Sequence, residues 1–232
     1  SNADSGVITD VWDAAAQPVW LAPTEARIHN IVSTSDVDSD TGGAVAQGAG
    51  ARTVRISGLK TWDDKETSED VIMDGTDGTD TVNSYVIIHR MKVLTAGASG
   101  PNVGIITAIA AADATVTARI GIIKGQTLMA IYGVPSTQNA YMMNFSASVA
   151  QASPASASAG VIVRSTMDVT TDTTTFLFKH TSAVFEEGST HVNHIFGMPK
   201  KFEGPCIIKL ALVAGANDTN GDASFDLILV DN

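Results

Sequence analysis

Carboxylates are the side chains of this sequence that are spaced most suggestively for chemistry. Asp36, Asp38 and Asp40 alternate along one loop, as the first ligands of a calcium-binding loop do. Such a loop has a glycine at its sixth position and a glutamate at its twelfth, and here these positions hold Thr41 and Gln47. The three aspartates are therefore only weak candidates for a metal site, and we interpret them as solvated loop carboxylates.

Two imidazoles form the second candidate. His191 and His194 lie in the motif HVNH, with Glu186 and Glu187 nearby. A spacing of three residues places two side chains together on a helix, but on opposite faces of a strand. We interpret the surrounding segment, 182–204, as irregular because it has no helical pattern, and we expect no zinc site there.

Hydrolysis and nucleophilic chemistry are not indicated either. Asp63, Asp64 and Glu66 could form a glycosidase pair only if the fold brought two carboxylates within about 5–10 Å of each other. His89 lies among apolar neighbours and is predicted to be a hydrogen-bonded core histidine. Cys206 is the single cysteine and is predicted to be a small buried hydrophobe. The sequence predicts no enzyme, no catalytic residue and no cofactor.

The composition argues against two classes of binding partner, nucleic acids and anionic membranes. The 232 residues carry a net charge of −11, and 17% of them are charged. Nucleic-acid surfaces need clusters of lysine and arginine, and anionic membranes attract basic segments, so neither partner is expected. No run approaches the roughly 20 apolar residues of a membrane-spanning helix.

The elements that must carry these side chains have the period of strands. Thr53 and Arg55 alternate with Val54 and Ile56, which indicates a half-buried strand. Similar short runs follow one another between Gly, Pro, Asn and Asp, and the repeat DGTDGTD over residues 74–80 is typical of a hairpin turn. We predict an all-β fold, an antiparallel β-sandwich of jelly-roll type with about a dozen strands.

The predicted domain organisation is simple. Residues 1–3 resemble the remainder of a cleaved expression tag, and 4–25 form an N-terminal arm in which a short helical turn precedes Pro18. Residues 26–232 form a single β-sandwich domain, with a subdivision near 150–160, where the low-complexity run QASPASASAG lies.

Homo-oligomerisation, as a trimer or another ring, is predicted from two features. Some strands are apolar on both faces, and the clearest example is the run CIIKLALV over residues 206–213. Such a strand needs a second burial partner, which is either another layer of the same chain or a neighbouring subunit. The arm also carries Trp12 and Trp20, which would be exposed if the arm packed nowhere, so we predict that both lie at a subunit interface.

Several stretches resemble virion structural proteins of marine tailed bacteriophages, and together they extend over most of the chain after about Ala26. The stretches are GAGARTVRISGL (48–59), SEDVIMDGT (68–76), NSYVIIHRMKV (83–93), NVGIITA (102–108), GQTLMAIYGVP (125–135), FGMPKKFEGPCIIKL (196–210) and FDLILVDN (225–232). The resemblance implies a head, neck or tail component that is assembled in the host cytoplasm, with no catalytic residue to carry over. Its partners would be copies of itself and other virion proteins.

A carbohydrate-binding or adhesin-like sandwich is the alternative function. Sugar sites need exposed aromatic rings beside Asp, Asn or Gln, and the candidates for stacking are Trp12, Trp20, Trp62 and the three tyrosines. Because Tyr85, Tyr132 and Tyr141 all lie within strand patterns, few rings remain for this role.

Overall fold

The computed structural model describes residues 1–13, 17–151, 159–185 and 190–232, which contain sixteen strands and no helix. The strands are β1 (Asn2–Ala3), β2 (Ile8–Asp10), β3 (His29–Ser33), β4 (Ala51–Leu59), β5 (Thr67–Ile72), β6 (Thr79–Asp80), β7 (Ile87–Ala96), β8 (Ile106–Ala110), β9 (Val116–Ile120), β10 (Ile131–Val134), β11 (Gln138–Gln151), β12 (Ala159–Ser165), β13 (Leu177–Phe185), β14 (Thr190–Glu203), β15 (Cys206–Ala214) and β16 (Thr219–Asp231). They form four sheets, and every pair of these strands is antiparallel. The all-β prediction is confirmed.

The strands belong to two compact units. Unit 1 consists of residues 1–20 and 129–232, and unit 2 of residues 21–128. The sequence pattern predicts one domain over 26–232 with a subdivision near 150–160, whereas the chain divides after Trp20 and after Leu128.

Unit 1 contains two sheets that share one core. The first sheet has the order β1-β16-β11-β14, and the second has the order β10-β15-β12-β13, with β2 also paired to β15. Alternation along β11 explains the core, since Met142, Phe145 and Ala147 are buried and pack in one cluster with Val161 and Leu210 of the second sheet.

Strand β15 is buried on both faces, as the run of apolar residues predicts. Ile208 and Leu210 belong to the core between the two sheets. Ile207, Lys209 and Ala211 alternate with them and are also buried. The second burial partner therefore comes from the same chain.

Unit 2 also contains two sheets, with the orders β6-β3-β8-β9 and β5-β4-β7. Its buried side chains include Ile31, Val54 and Ile56, each on an alternating strand. The repeat DGTDGTD contains turns with positive φ at Gly75 and Gly78, but it does not form the predicted hairpin, because β5 and β6 belong to different sheets.

One prediction about an irregular segment is wrong. The segment 182–204 contains β14, whose apolar alternation is interrupted by Gly197 and Pro199 and therefore escaped detection. The helical turn expected before Pro18 falls on residues 14–16, which lie outside the described residues, and the arm contributes β2 to the second sheet of unit 1. Residues 1–3 contribute β1 to the first sheet.

Candidate functional site

An ionic cluster lies buried in unit 1. Strand β2 places Asp10 opposite Ala211 of β15, and Lys209 of the same strand lies directly opposite Arg164 of β12. Lys209 Nζ donates to Asp10 Oδ2 at 2.5 Å, and Arg164 Nη1 lies 3.7 Å from Asp10 Oδ1. The side chains of Asp10 and Lys209 are 0% and 1% exposed, so this pair is closed to solvent.

Burial dominates the electrostatics of the cluster. Desolvation raises the pKa of Asp10, although Lys209, the backbone N–H of Trp20 and Arg164 counteract it. Desolvation likewise lowers the pKa of Lys209, and the contact with Asp10 opposes this shift. Both shifts favour the neutral forms, which are a carboxylic acid at Asp10 and an amine at Lys209.

The hydrogen bonding of Asp10 is incomplete. Its Oδ2 accepts from Lys209 and from the backbone N–H of Trp20 at 2.9 Å, while its Oδ1 has no hydrogen-bond partner. The ring of Phe176 lies 3.7 Å from Lys209 Nζ and shields it. The cluster combines an amine and a carboxyl group that are closed to solvent with a guanidinium that is 15% exposed.

A cavity lined by lysines lies elsewhere in unit 1. It has a volume of about 410 Å³, and its lining includes Lys179 of β13 and Lys200 and Lys201 of β14. Lys201 forms an ion pair with Glu203 at 2.9 Å. Within the described part of the chain, Lys179 and Lys200 have no carboxylate at ion-pair distance, so the cavity can accommodate an anionic group.

The two histidines of HVNH point to opposite faces of β14, as the strand spacing requires. His191 is exposed, whereas the ring of His194 stacks on Phe145 at 5.1 Å. His180 of β13 lies 4.7 Å from His194, and burial, with smaller effects of His194 and Lys200, lowers the pKa of His180. Glu186 and Glu187 lie outside the described residues.

An apolar strip crosses the outer face of the first sheet of unit 1. Tyr141 of β11 pairs with Ile228 of β16, and Val230 follows two residues later on the same face of β16. Ile195 of β14 pairs with Asn144 on this face and is 72% exposed, and Ile228 and Val230 are 51% and 45% exposed. We call Tyr141, Ile195, Ile228 and Val230 the apolar strip.

Asp38, one of the three aspartates that resemble a calcium loop, connects separate backbone segments of unit 2. Asp38 is fully buried, and its Oδ1 accepts from the backbone N–H groups of Ala51 and Val103 at 2.8 Å. Its Oδ2 accepts from the Ser33 hydroxyl and the Gly104 N–H, both at 2.7 Å. The prediction of a solvated carboxylate is wrong for Asp38, because four donors of its own chain surround it.

The neighbouring carboxylates also bind their own chain. Asp36 accepts from the Thr76 hydroxyl at 2.6 Å, and Asp40 accepts from Gln47 at 2.7 Å. These bonds hold the pKa of Asp36 and of Asp40 below its usual value. The described residues contain no group of three or more His, Cys, Asp or Glu side chains arranged to hold a metal ion.

Both tryptophans predicted at an interface are buried within their own chain. Trp12 is 3% exposed and its Nε1 donates to the carbonyl of Gln17, while Trp20 is 0% exposed. Their interface role stays a prediction, but its argument no longer applies, because neither ring would be exposed on a single chain.

The remaining candidates, His89, Asp64 and Cys206, are buried or form hydrogen bonds within their own chain. His89 is 6% exposed and its Nε2 lies 2.9 Å from Glu66, which confirms a hydrogen-bonded core histidine. Asp64 accepts from the hydroxyl of Thr61 at 3.0 Å. Cys206 is buried, as predicted, and burial raises the pKa of its thiol to about 12.

Sequence patterns did not indicate Asp10, Arg164, Lys209 or the cavity lysines as site residues. A lysine within the apolar run CIIKLALV was the available signal, because a buried lysine requires a partner. Its partner is 199 residues away in the chain and could not be identified from spacing.

Comparison with protein-family models, with curated proteins and with solved structures finds no match for this chain. Within the residues that the structure describes, no helix is long and apolar enough to cross a membrane.

Proposed function

We propose that this chain is a non-enzymatic structural protein of a tailed-bacteriophage virion, and that copies of it associate through the apolar strip. The exposure of the strip carries this proposal. Exposed apolar residues scattered singly are ordinary, but several of them on one sheet face favour an interaction surface. Tyr141 and Ile228 are cross-strand partners, and Val230 follows on the same face.

The strand order of unit 1 supports a virion role. We infer a jelly roll, in which β1, β16, β11 and β14 form one four-stranded layer and β10, β15, β12 and β13 form the other. From β10 to β16 successive strands change between the layers, except β12 and β13, which pair within one layer, and this is the order that a jelly roll requires. In the sequence, unit 2 is inserted between β2 and β10. Jelly rolls are common in viral capsid proteins.

A second copy of the chain is the partner that the charges favour. The chain carries a net charge of −11, so two copies repel each other wherever carboxylates are exposed. Beside the strip, Lys201 forms an ion pair with Glu203 at 2.9 Å, and Asp226 is exposed on the same face of β16, two residues before Ile228. The side chains of the strip itself carry no charge, so copies with the same excess of negative charge approach most easily there.

Carbohydrate binding is the second candidate, because lectins also use jelly rolls. Its specific support is Tyr141, which is half-buried on the outer face with Asn139 on the same face of β11. An aromatic ring beside an amide suits a sugar. Binding of the chain to a glycan array that a Tyr141→Ala variant loses would favour this candidate over self-association.

Sedimentation equilibrium tests self-association directly. We expect the wild-type chain to form oligomers at tens of micromolar, and an Ile195→Lys/Ile228→Lys variant to weaken association about a hundredfold. Val82→Lys is the matched control, because Val82 is 86% exposed in unit 2 and lies outside the strip. A wild-type chain that stays monomeric, or equal weakening by both variants, would contradict the proposal.

A further inference from the structure

We propose that Asp10 and Lys209 are joined by an intramolecular isopeptide bond, an amide between Cγ of Asp10 and Nζ of Lys209. The geometry points to this bond because Nζ already lies 2.5 Å from Oδ2. Pairing of β2 with β15 fixes both backbones, so the reacting atoms are held together in a folded sheet. This inference does not depend on the proposed virion function.

Proximity and exclusion of water favour the amide. Reactive groups held in contact can reach effective concentrations of about 10⁵ M or more. The two side chains are 0% and 1% exposed, and the ring of Phe176 lies against Nζ. Because no solvent reaches the pair, the amide is protected from hydrolysis. The water molecule released by the reaction can leave when unit 1 fluctuates.

The protonation states also suit the reaction. Amide formation requires a neutral amine as nucleophile and a protonated carboxyl group as acceptor. Burial lowers the pKa of Lys209 and raises the pKa of Asp10, so transfer of one proton from Nζ to Oδ2 gives these neutral forms.

The step balances without any other reactant. After the proton transfer, the lone pair of Nζ attacks Cγ, and the electrons of the C=O bond move to Oδ1. The tetrahedral intermediate then expels Oδ2, which takes a second proton from the attacking nitrogen and leaves as water. An ammonium and a carboxylate become an amide and one water molecule, so net charge is conserved.

Arg164 is placed to stabilise the intermediate. Its Nη1 lies 3.7 Å from Oδ1, the oxygen on which negative charge develops and which has no hydrogen-bond partner. A fixed positive charge at this position lowers the energy of the oxyanion. On the other oxygen, the backbone N–H of Trp20 donates at 2.9 Å and holds the leaving group in place.

The mass of the intact, denatured chain tests the proposal. We expect the wild-type chain to be lighter than its sequence mass by one water molecule, and Lys209→Met and Asp10→Ala variants to have their full sequence masses. Succinimide formation at Asp74-Gly75 or Asp77-Gly78 would also remove one water, but the Lys209→Met variant retains both sites. A loss of water that persists in that variant would overturn the proposal, as would a wild-type chain at its full sequence mass.

Variants of Arg164 separate a chemical role from a structural one. We expect Arg164→Gln to slow the loss of water at least about tenfold after synthesis, and Arg164→Lys to restore part of the rate because it keeps the charge. Circular dichroism verifies that each variant retains its strands. Equal rates in the wild type and a folded Arg164→Gln variant would remove Arg164 from the step.

Discussion

Among the residues that the structure describes, each unit contains one fully buried aspartate, and the surroundings of the two differ. Asp38 of unit 2 accepts four hydrogen bonds, three from backbone N–H groups and one from a hydroxyl. Asp10 of unit 1 accepts hydrogen bonds from one backbone N–H and from Nζ of Lys209, and its Oδ1 has no hydrogen-bond partner. Burial is therefore the same, but only Asp38 has both oxygens satisfied.

The difference shows what makes a buried carboxyl group structural or reactive. Neutral donors on both oxygens of Asp38 tie three separate backbone segments together, and none of them can react with it. Asp10 instead contacts an amine that can become a nucleophile, and it keeps one oxygen free to take negative charge. Incomplete hydrogen bonding of a buried carboxyl group costs free energy of folding, whether or not the group reacts.

Replacing Asp38 should produce the largest loss of stability. Asp38→Ala leaves the N–H groups of Ala51, Val103 and Gly104 without their acceptor, and we expect it to lower the free energy of unfolding by about 3 kcal/mol or more. Urea titration measures this loss. Asp40→Ala is the matched control in the same loop, and we expect a much smaller effect from it. Equal effects of the two variants would contradict the structural role of Asp38.

Acid should weaken unit 2 through His29. Burial lowers the pKa of this imidazole to about 4, and its Nε2 has no hydrogen-bond partner while Nδ1–H donates to the carbonyl of Arg27. In the unfolded chain the imidazole of His29 has a pKa near 6.5, so between about pH 6.5 and pH 4 it binds a proton that the folded chain does not bind. Stability therefore falls as the pH decreases through this window, by about 2 kcal/mol between pH 7 and pH 5.

The His29→Asn variant isolates this effect. Its amide can still donate to the carbonyl of Arg27 but cannot be protonated, so its free energy of unfolding should depend less on pH. His191, exposed on β14, supplies the control variant His191→Gln, which should retain the wild-type pH dependence. If His29→Asn retains it too, His29 is not its source.

The smallest effect is expected at the surface. Arg55 and Asp70 form two hydrogen bonds at 2.7 and 2.8 Å across β4 and β5, but their side chains are 48% and 44% exposed. Water and salt screen such pairs. The urea midpoint of Asp70→Asn should stay close to that of the wild type. A loss of stability comparable to that of Asp38→Ala would show that solvent exposure does not determine how much these contacts stabilise the fold.

Strand alternation made much of the fold predictable. Val54 and Ile56 identified β4, and the apolar residues on both sides of β15 indicated two burial partners. The short strand β2 was missed because three residues show no clear period, and β14 because Gly197 and Pro199 interrupt it.

The candidate sites were less predictable, because they depend on contacts between distant residues. Spacing correctly separated His191 from His194, since both lie on one strand. It could not show that Asp38 is surrounded by donors from Ala51 and Val103, or that Asp10 meets Lys209. Such contacts follow from sheet topology, which local patterns do not specify.

A tryptic peptide map of the denatured wild-type chain tests the contrast between the two aspartates most directly. Cleavage after Arg27 and Arg52 places Asp10 in peptide 1–27 and Asp38 in peptide 28–52. We expect peptide 28–52 at its sequence mass, and peptide 1–27 joined to 202–232, because trypsin does not cleave after an acylated Lys209. Free peptide 1–27 at its sequence mass, with cleavage after Lys209, would contradict the account.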